Sequence, residues 1–458
     1  MVRELLLNPA AGKCDGSGSV GKLSNDNGGK KRPLFVIGLD GTPYTFLKKE
    51  IGAGSLPHMA SLFSRGGLAQ METEIPTISS VAWASFMTGV NPGEHGIFGF
   101  TDRTPGSYEL FFPNYNDLKA ETIWDRISRD GGRCCVINVP STYPARSVNG
   151  VLVSGFVAPN LKRAVYPDQA YDYLSNSGYR IDVDAAKARD SLDLLLEDLH
   201  ATLEKRREAM LHFQAQENWD FFMCVFTGTD RLHHFLWRHY EEGDPVYKTE
   251  FLHYYRRLDE IIGEFVALLP DDASLFMLSD HGFCGISKEV FLNPLLVREG
   301  LLAFKEEDPK TIAGIDPVST RAYCMDPGRI YLNRNGREPG GIVSPEEAEI
   351  LMGEIKDILL KLKDPETGVR VIERVEFGTD IFHGPQTAVG PDLIAVPRAG
   401  YDIKGRMSRE IFAPHGLLSG MHTHDDAFVF ATGSAGQMLP PHIRGLAALM
   451  EKSRSGNL

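Results

Sequence analysis

The chain has 458 residues, 42% of them hydrophobic and 24% charged, and a formal net charge of −13. That composition suits a folded enzyme with a sizeable core. The negative charge argues against a nucleic-acid polymer or an anionic membrane surface as partner, but not against a small anionic substrate, because bound cations can reverse the local field. No apolar run reaches the ~18–20 residues of a membrane span. The six cysteines, at 14, 134, 135, 224, 284 and 324, make no spaced framework, so a reduced, cytoplasmic protein is expected.

Residues 1–32 are rich in Gly, Ser, Asn and Lys and lack hydrophobic periodicity, which predicts a disordered leader. Order should begin at Pro33 and run as one domain, 33–458. Three apolar runs share a pattern: "LFVIGLD" ends in Asp40, "FFMCVFTGTD" in Asp230, and "SLFMLSDHG" in Asp280 and His281. Each reads as a fully buried strand that passes to an acid at its carboxyl end. "CCVINV" and "VLVSGF" are further strands. Helical patterns lie between, near 56–66, 120–130, 190–216 and 247–268. The alternation predicts an α/β fold with a mainly parallel sheet covered on both faces. Ligands of such sheets sit beyond the carboxyl ends of the strands, so the three acids should converge on one edge. Two Pro- and loop-rich stretches, 102–190 and 290–415, are expected as insertions capping that edge, the second with a helix near 345–363 and a strand in "PDLIAV".

Oxygen and imidazole ligands without cysteine suit zinc, with manganese as the alternative. Asp280 and His281 are adjacent. Asp230 and His234 have i, i+4 spacing, which puts both on one face if the segment is helical. His422 precedes another apolar run, with His233 and His424 as its nearest competitors. Singly these signals are weak: an Asp at a strand end also serves turns and caps, and "DRLHH" also reads as an exposed helix start. "SSVAWASFMTG" reads as a short helix with Ser79 or Ser80 at its start and Gly89 after its end. A hydroxyl there faces unpaired N–H groups and the positive end of the dipole, which favours an alkoxide and an incoming phosphate. The plain alternative is an N-cap.

The motifs stand in an order that resembles a known family. "GLDG" at 38–41, "PTISSVAWASFMTGVNPGEHGIFGF" at 76–100, "TDRLHHFLW" at 229–237, "SDHGF" at 279–283, "TRAY" at 320–323, "NGREPGGIV" at 335–343, "PDLIAV" at 391–396 and "SGMH" at 419–422 carry the resemblance. From Leu34 to about Gly433 the chain resembles the alkaline phosphatase superfamily, in its type I phosphodiesterase/nucleotide pyrophosphatase group, and looks closest to the predicted phosphohydrolase/phosphomutase branch. The resemblance implies an alkaline-phosphatase-like three-layer sandwich, two divalent metal ions, and a small phosphoester as substrate.

It also implies roles. The nucleophile stands nine residues ahead of Thr88, which gives Ser79. One ion would be held by Asp40, Asp280 and His281 and would touch Ser79; the other by Asp230, His234 and His422. His95 would orient the turn after the helix. Three carboxylates against two divalent ions leave a net charge of about plus one, so the site can hold an anionic ester that the whole chain repels. Nucleotide-cleaving relatives place an Asn three residues after the nucleophile; Ala82 stands there, followed by Trp83. Substrate contacts are expected from Arg321 first, then Ser80 and Trp83, with Arg103, Arg231 and Arg337 as further candidates; for Trp83, packing beneath the site is preferred to stacking on a base. A diester or pyrophosphate hydrolase is the leading reading; a monoester phosphatase or phosphomutase, and a non-catalytic scaffold, are the alternatives. "SSVAWA" lacks the Pro and Arg that follow a sulfatase's modified residue.

Overall fold

The computed structural model describes residues 31–306 and 311–458. The leader expected over 1–32 lies, apart from Lys31 and Arg32, outside the described residues. The largest sheet has eight strands: β1 (Leu34–Leu39), β2 (Gly66–Met71), β3 (Cys134–Val139), β4 (Gly150–Ser154), β5 (Val165–Tyr166), β6 (Phe221–Phe226), β7 (Ser274–Leu278) and β8 (Ala427–Thr432). Their order is β2-β8-β7-β1-β6-β3-β4-β5. The five strands from β7 to β4 are parallel, and β8 and β5 join antiparallel at either side.

Alternate residues of the inner strands feed two cores. Phe35, Ile37, Leu39, Phe222, Cys224 and Phe226 point to one face; Leu34, Val36, Phe221, Met223 and Val225 point to the other. With both faces apolar the strands show no polar alternation, as buried parallel strands require. Helices Leu192–Gln214, Gly228–Glu242 and Tyr247–Val266 cover the first face. Helices Ser79–Thr88, Ile123–Arg129 and Gly445–Ser455 cover the second. The result is a three-layer α/β sandwich. Adjacent Cys134 and Cys135 fall on opposite faces and are both free thiols.

The pairing also aligns strand ends. Leu39 lies beside Phe226, and Gly38 beside Leu278. The residues that follow therefore leave the sheet on the same carboxyl edge. Residues 102–190 correct the expectation of an insertion there: they supply β3 and β4, interior strands whose every residue is buried. Both runs read as strands in the sequence, but neither announces its place inside the main sheet. Residues 288–414 build two smaller sheets outside the main one. Lys288–Phe291 pairs with Tyr401–Lys404 and Phe412–Pro414. Ala322–Met325, Arg329–Leu332, Leu393–Pro397 and Ile372–Phe377 form the other. Helix Pro345–Lys361 buries Leu351, Ile355 and Leu359 in the same apolar cluster as these strands. No helix of the described residues is long and apolar enough to cross a membrane.

Candidate metal centre

Four short devices bring six ligand-type side chains to the carboxyl edge. Asp40 follows β1 directly, and Asp280 and His281 follow β7. Helix Gly228–Glu242 starts just after β6, so Asp230 sits in its first turn, where the helix dipole favours an acid, and His234 one turn on. Strand Gly420–Thr423 pairs antiparallel with Gly282–Gly285, setting His422 opposite Phe283. The His281 and His422 rings then stack with centroids 3.6 Å apart.

The helix Ser79–Thr88 brings the hydroxyl. Ile78, in extended conformation, is its N-cap, and Ser79 is its first helical residue rather than the cap. All ten residues are buried, and Gly89, with φ 78°, ends the helix. Ser79 Oγ lies 3.1 Å from His281 Nε2 and donates to Asp40 Oδ1 at 3.4 Å. His281 Nε2 is in turn 3.7 Å from Asp40 Oδ1 and 3.4 Å from Asp280 Oδ2. A second group adjoins the first: His422 Nε2 is 3.2 Å from Asp230 Oδ1 and 3.0 Å from His234 Nε2, and His234 Nε2 is 3.4 Å from Asp230 Oδ1.

The donor chemistry of these groups fits cations. The outer nitrogens of all three imidazoles sit at carbonyl oxygens: His281 Nδ1 at Gly282 (3.0 Å), His234 Nδ1 at Gly420 (2.9 Å) and His422 Nδ1 at Thr77 (3.2 Å). An Nδ1–H donating to a carbonyl leaves Nε2 as a lone pair, the arrangement metal-bound histidines adopt. The Nε2 atoms of His234 and His422 then face each other at 3.0 Å, with Asp230 Oδ1 3.2 Å from the second. Asp280 Oδ2 is buried with no hydrogen-bond partner. Donors at ~2.0–2.2 Å around a tetrahedral ion stand about 3.4 Å apart, close to the spacings measured here.

Electrostatics say the same. Burial, followed by the Asp280 and Asp230 carboxylates, pushes Asp40 well above the usual carboxylate range. Burial, opposed by the Gly41 amide and reinforced by Asp230, pushes Asp280 up to about 6. Burial also raises Asp230, but His234, His422 and Arg231 outweigh it and hold the acid well below its ordinary value. Burial drives His281 well down and His234 to about 4. For His422 burial works downward too, yet the hydrogen bond and charge of Asp230 hold it up. Three acids packed this closely out of water call for positive charge between them.

The competitors of His422 are committed elsewhere. His233 has Nδ1 at Gly41 O (2.9 Å) and Nε2 at Tyr255 Oη (2.8 Å), inside the core. His424 Nε2 meets Arg374 at 3.0 Å. His95 spans Ser85 and Ile97 at the turn after the helix.

Arg321 is corrected as a substrate contact, and Trp83 follows its preferred reading, packing beneath the site. Trp83 is 0% exposed, so its ring cannot stack on a substrate; its Nε1 donates to Asp40 Oδ2 at 3.0 Å. Arg321 lies ahead of the outer strand Ala322–Met325, its nearest carboxylate Glu354 at 3.9 Å, outside the ligand cluster. Arg103 and Arg337 are bound to Glu338, and Arg337 also to Asp392. Only Arg231 of the four reaches the cluster, donating to Asp230 Oδ2 (3.2 Å) and Asp182 Oδ2 (2.7 Å). Ser80 is buried and its Oγ has no partner. Sequence reasoning missed Asp182, which no local pattern marks, and the Gly41 amide, which donates to Asp280 Oδ1 at 2.9 Å. The glycine after Asp40 in "GLDG" was the available signal for the second.

Against the second group opens a cavity of about 310 Å³, lined by His234 and His422 on one side and by Phe100, Ile394 and Val396 on others. Solved structures share the architecture. Phosphonoacetate hydrolase from Sinorhizobium meliloti 1021, in complex with phosphonoacetate, matches at TM-score 0.62 and 16% identity, over 93% of this chain and 96% of that one. Murine ectonucleotide pyrophosphatase/phosphodiesterase 5 matches at TM-score 0.53 and 14% identity, over 92% and 94%. Its human counterpart matches at 0.53 and 15%, over the same shares. At such identities these likenesses speak for the fold. No curated relative matches the sequence.

Fold and sequence together define a phosphoester hydrolase of the alkaline phosphatase superfamily. Residues 34–424 match the model of one family within it. The chain belongs to the type I phosphodiesterase/nucleotide pyrophosphatase family.

Proposed function

We propose that the chain hydrolyses phosphodiesters through a covalent intermediate on Ser79, with two divalent ions, zinc before manganese. Asp40, Asp280 and His281 would hold one ion, and Asp230, His234 and His422 the other. The observation that carries this reading is the Ser79 hydroxyl, 3.1 Å from His281 Nε2 and 3.4 Å from Asp40 Oδ1, at the open end of a buried helix. When bound, the ions supply the Lewis acidity that favours the Ser79 alkoxide and offsets charge on the leaving oxygen.

The chain's own residues do the rest. Ser79 Oγ, its hydroxyl proton given up to solvent, attacks phosphorus; the Oγ–P bond forms as the ester P–O bond breaks, and the leaving oxygen takes a proton from water. Water then attacks the phosphoserine and returns Ser79 as an alcohol. The Val81 amide is taken by the Ile78 carbonyl at 3.0 Å; the amides of Ser79 and Ser80, at the start of the helix, can donate to the equatorial oxygens. Arg231 fixes the Asp230 carboxylate from behind.

Diesters are favoured over monoesters because the transferring dianion of a monoester needs extra positive groups. Arg231, the candidate arginine that reaches the cluster, is already spent on Asp182 and Asp230. Ser79→Ala should lower turnover of bis-p-nitrophenyl phosphate by at least about 10³-fold while zinc content stays unchanged. The wild type should cleave this diester faster than the monoester. Full activity in the variant removes Ser79 from its role, and a preference for the monoester moves the reading to a phosphatase.

A further inference from the structure

The cavity beside the second ligand group carries an inference about the substrate's organic substituent; it rests on the phosphoester reading above. The apolar part of its wall comes from Ile75, Phe100, Ile394, Val396 and Met421. Four carboxylates, Asp326, Glu373, Asp402 and Asp425, also line it, against a single basic side chain of Lys or Arg type, Lys404. That lysine is spent, with Nζ 2.5 Å from Asp402 Oδ2. Arg374, next to Glu373, is held by Glu373 (3.2 Å), Glu376 (2.7 Å) and His424 (3.0 Å). Asp326 and Asp425 have no ion pair among the described residues.

A phosphoryl group drawn to the ligand cluster therefore leaves its substituent facing an apolar wall with surplus negative charge. A second phosphate or a carboxylate there finds no uncommitted Lys or Arg among the described lining residues. We infer that this cavity takes an apolar substituent that is uncharged or cationic, and that it rejects an anionic one, including the second phosphoryl of a pyrophosphate. Charge complementarity of this kind sets selectivity between substrates sharing the same reacting centre.

The test uses the metal-loaded protein and four p-nitrophenyl phosphodiesters whose second substituent is methyl, phenyl, 2-(trimethylammonio)ethyl or 2-carboxyethyl. The phenyl and trimethylammonioethyl esters should exceed the methyl ester in kcat/KM by about 10-fold, and the carboxyethyl ester should fall at or below it. Asp425→Lys, at an exposed position, should narrow the ratio of trimethylammonioethyl to carboxyethyl ester by about 10-fold. A wild-type carboxyethyl ester within about threefold of the trimethylammonioethyl ester, or a ratio unmoved by Asp425→Lys, overturns the inference. Calorimetric titration with the phenyl-, trimethylammonioethyl- and carboxyethylphosphonates reads the same order without turnover. If no ester is cleaved, the hydrolytic reading fails, and equal affinities for the three phosphonates sink the substituent inference separately.

Discussion

The two nitrogens of His95 do different work. Nδ1 accepts from the Ile97 amide at 3.1 Å, so the proton sits on Nε2, which donates to Ser85 Oγ at 2.9 Å. Protonating Nδ1 would set two N–H groups against each other in a residue that is 0% exposed. Burial, with Arg444 adding to it, pushes the imidazole down to about 3. The sign follows: between an unfolded pKa of ~6.5 and the folded value, the unfolded chain binds more protons, so stability falls as pH drops through that window. From pH 7 to 5.5 the wild type should lose about 1 kcal/mol that His95→Gln does not lose. Urea melts of both proteins at the two pH values measure the difference, and parallel losses contradict it. Legibility at this scale divides sharply. Asp40, Asp230, His234, Asp280 and His281 were marked by strand ends and short spacings, whereas His422 was preferred to His233 and His424 through the family resemblance. The choice among arginines failed because Arg231 is distinguished by Asp182, a partner 49 positions away, and sequence spacing carries no such information.

Among the elements, the inner strands were readable because burial on both faces leaves uninterrupted apolar runs. β2, "GGLAQM", was not, since it is mostly half-exposed and polar enough to pass for a loop. β3 and β4 were recognised as strands yet assigned to an insertion; the pairing of β3 with β6 is a long-range fact that neither run announces. The ribbon of Gly282–Gly285 and Gly420–Thr423 went unforeseen, although it carries His422. It also offers a test at its own scale. A Cβ at Gly420 would lie 2.6 Å from the His233 carbonyl oxygen and 2.9 Å from the Phe283 ring. Backbone cannot yield there, so Gly420→Val must shift the strand, and His422 with it. The ribbon is separate from the eight-stranded sheet, so the far-ultraviolet circular dichroism should hold. If the centre holds two ions as proposed, bound metal should fall from two towards one, and kcat should fall by about 10²-fold, as misplacements near 1 Å produce. A variant that keeps both ions and full turnover would show that the strand does not set the His422 position.

For the whole molecule, the cluster is where local features have their largest reach. Asp40 and Asp280 come from loops after β1 and β7, Asp230 from a helix on one face, and His422 from the ribbon; Ser79 comes from a helix on the opposite face. Burial first, and then the mutual repulsion of three carboxylates at this junction, pushes Asp40 and Asp280 above their usual range. Ions held between them would therefore tie both helical layers to the sheet edge and relieve that repulsion. A ligand bound only by the folded state at ~1,000 times its dissociation constant adds about 4 kcal/mol per site. Chelation should consequently lower the melting temperature by several degrees, on the order of the shift expected for a few kcal/mol in a chain of this size, and abolish turnover. Adding back zinc should restore both. Manganese restoring activity while zinc does not would change the ion and keep the centre. A melting temperature indifferent to chelator and to added metal would mean that the six side chains hold no ion, and the electrostatic argument for the site would fall with it.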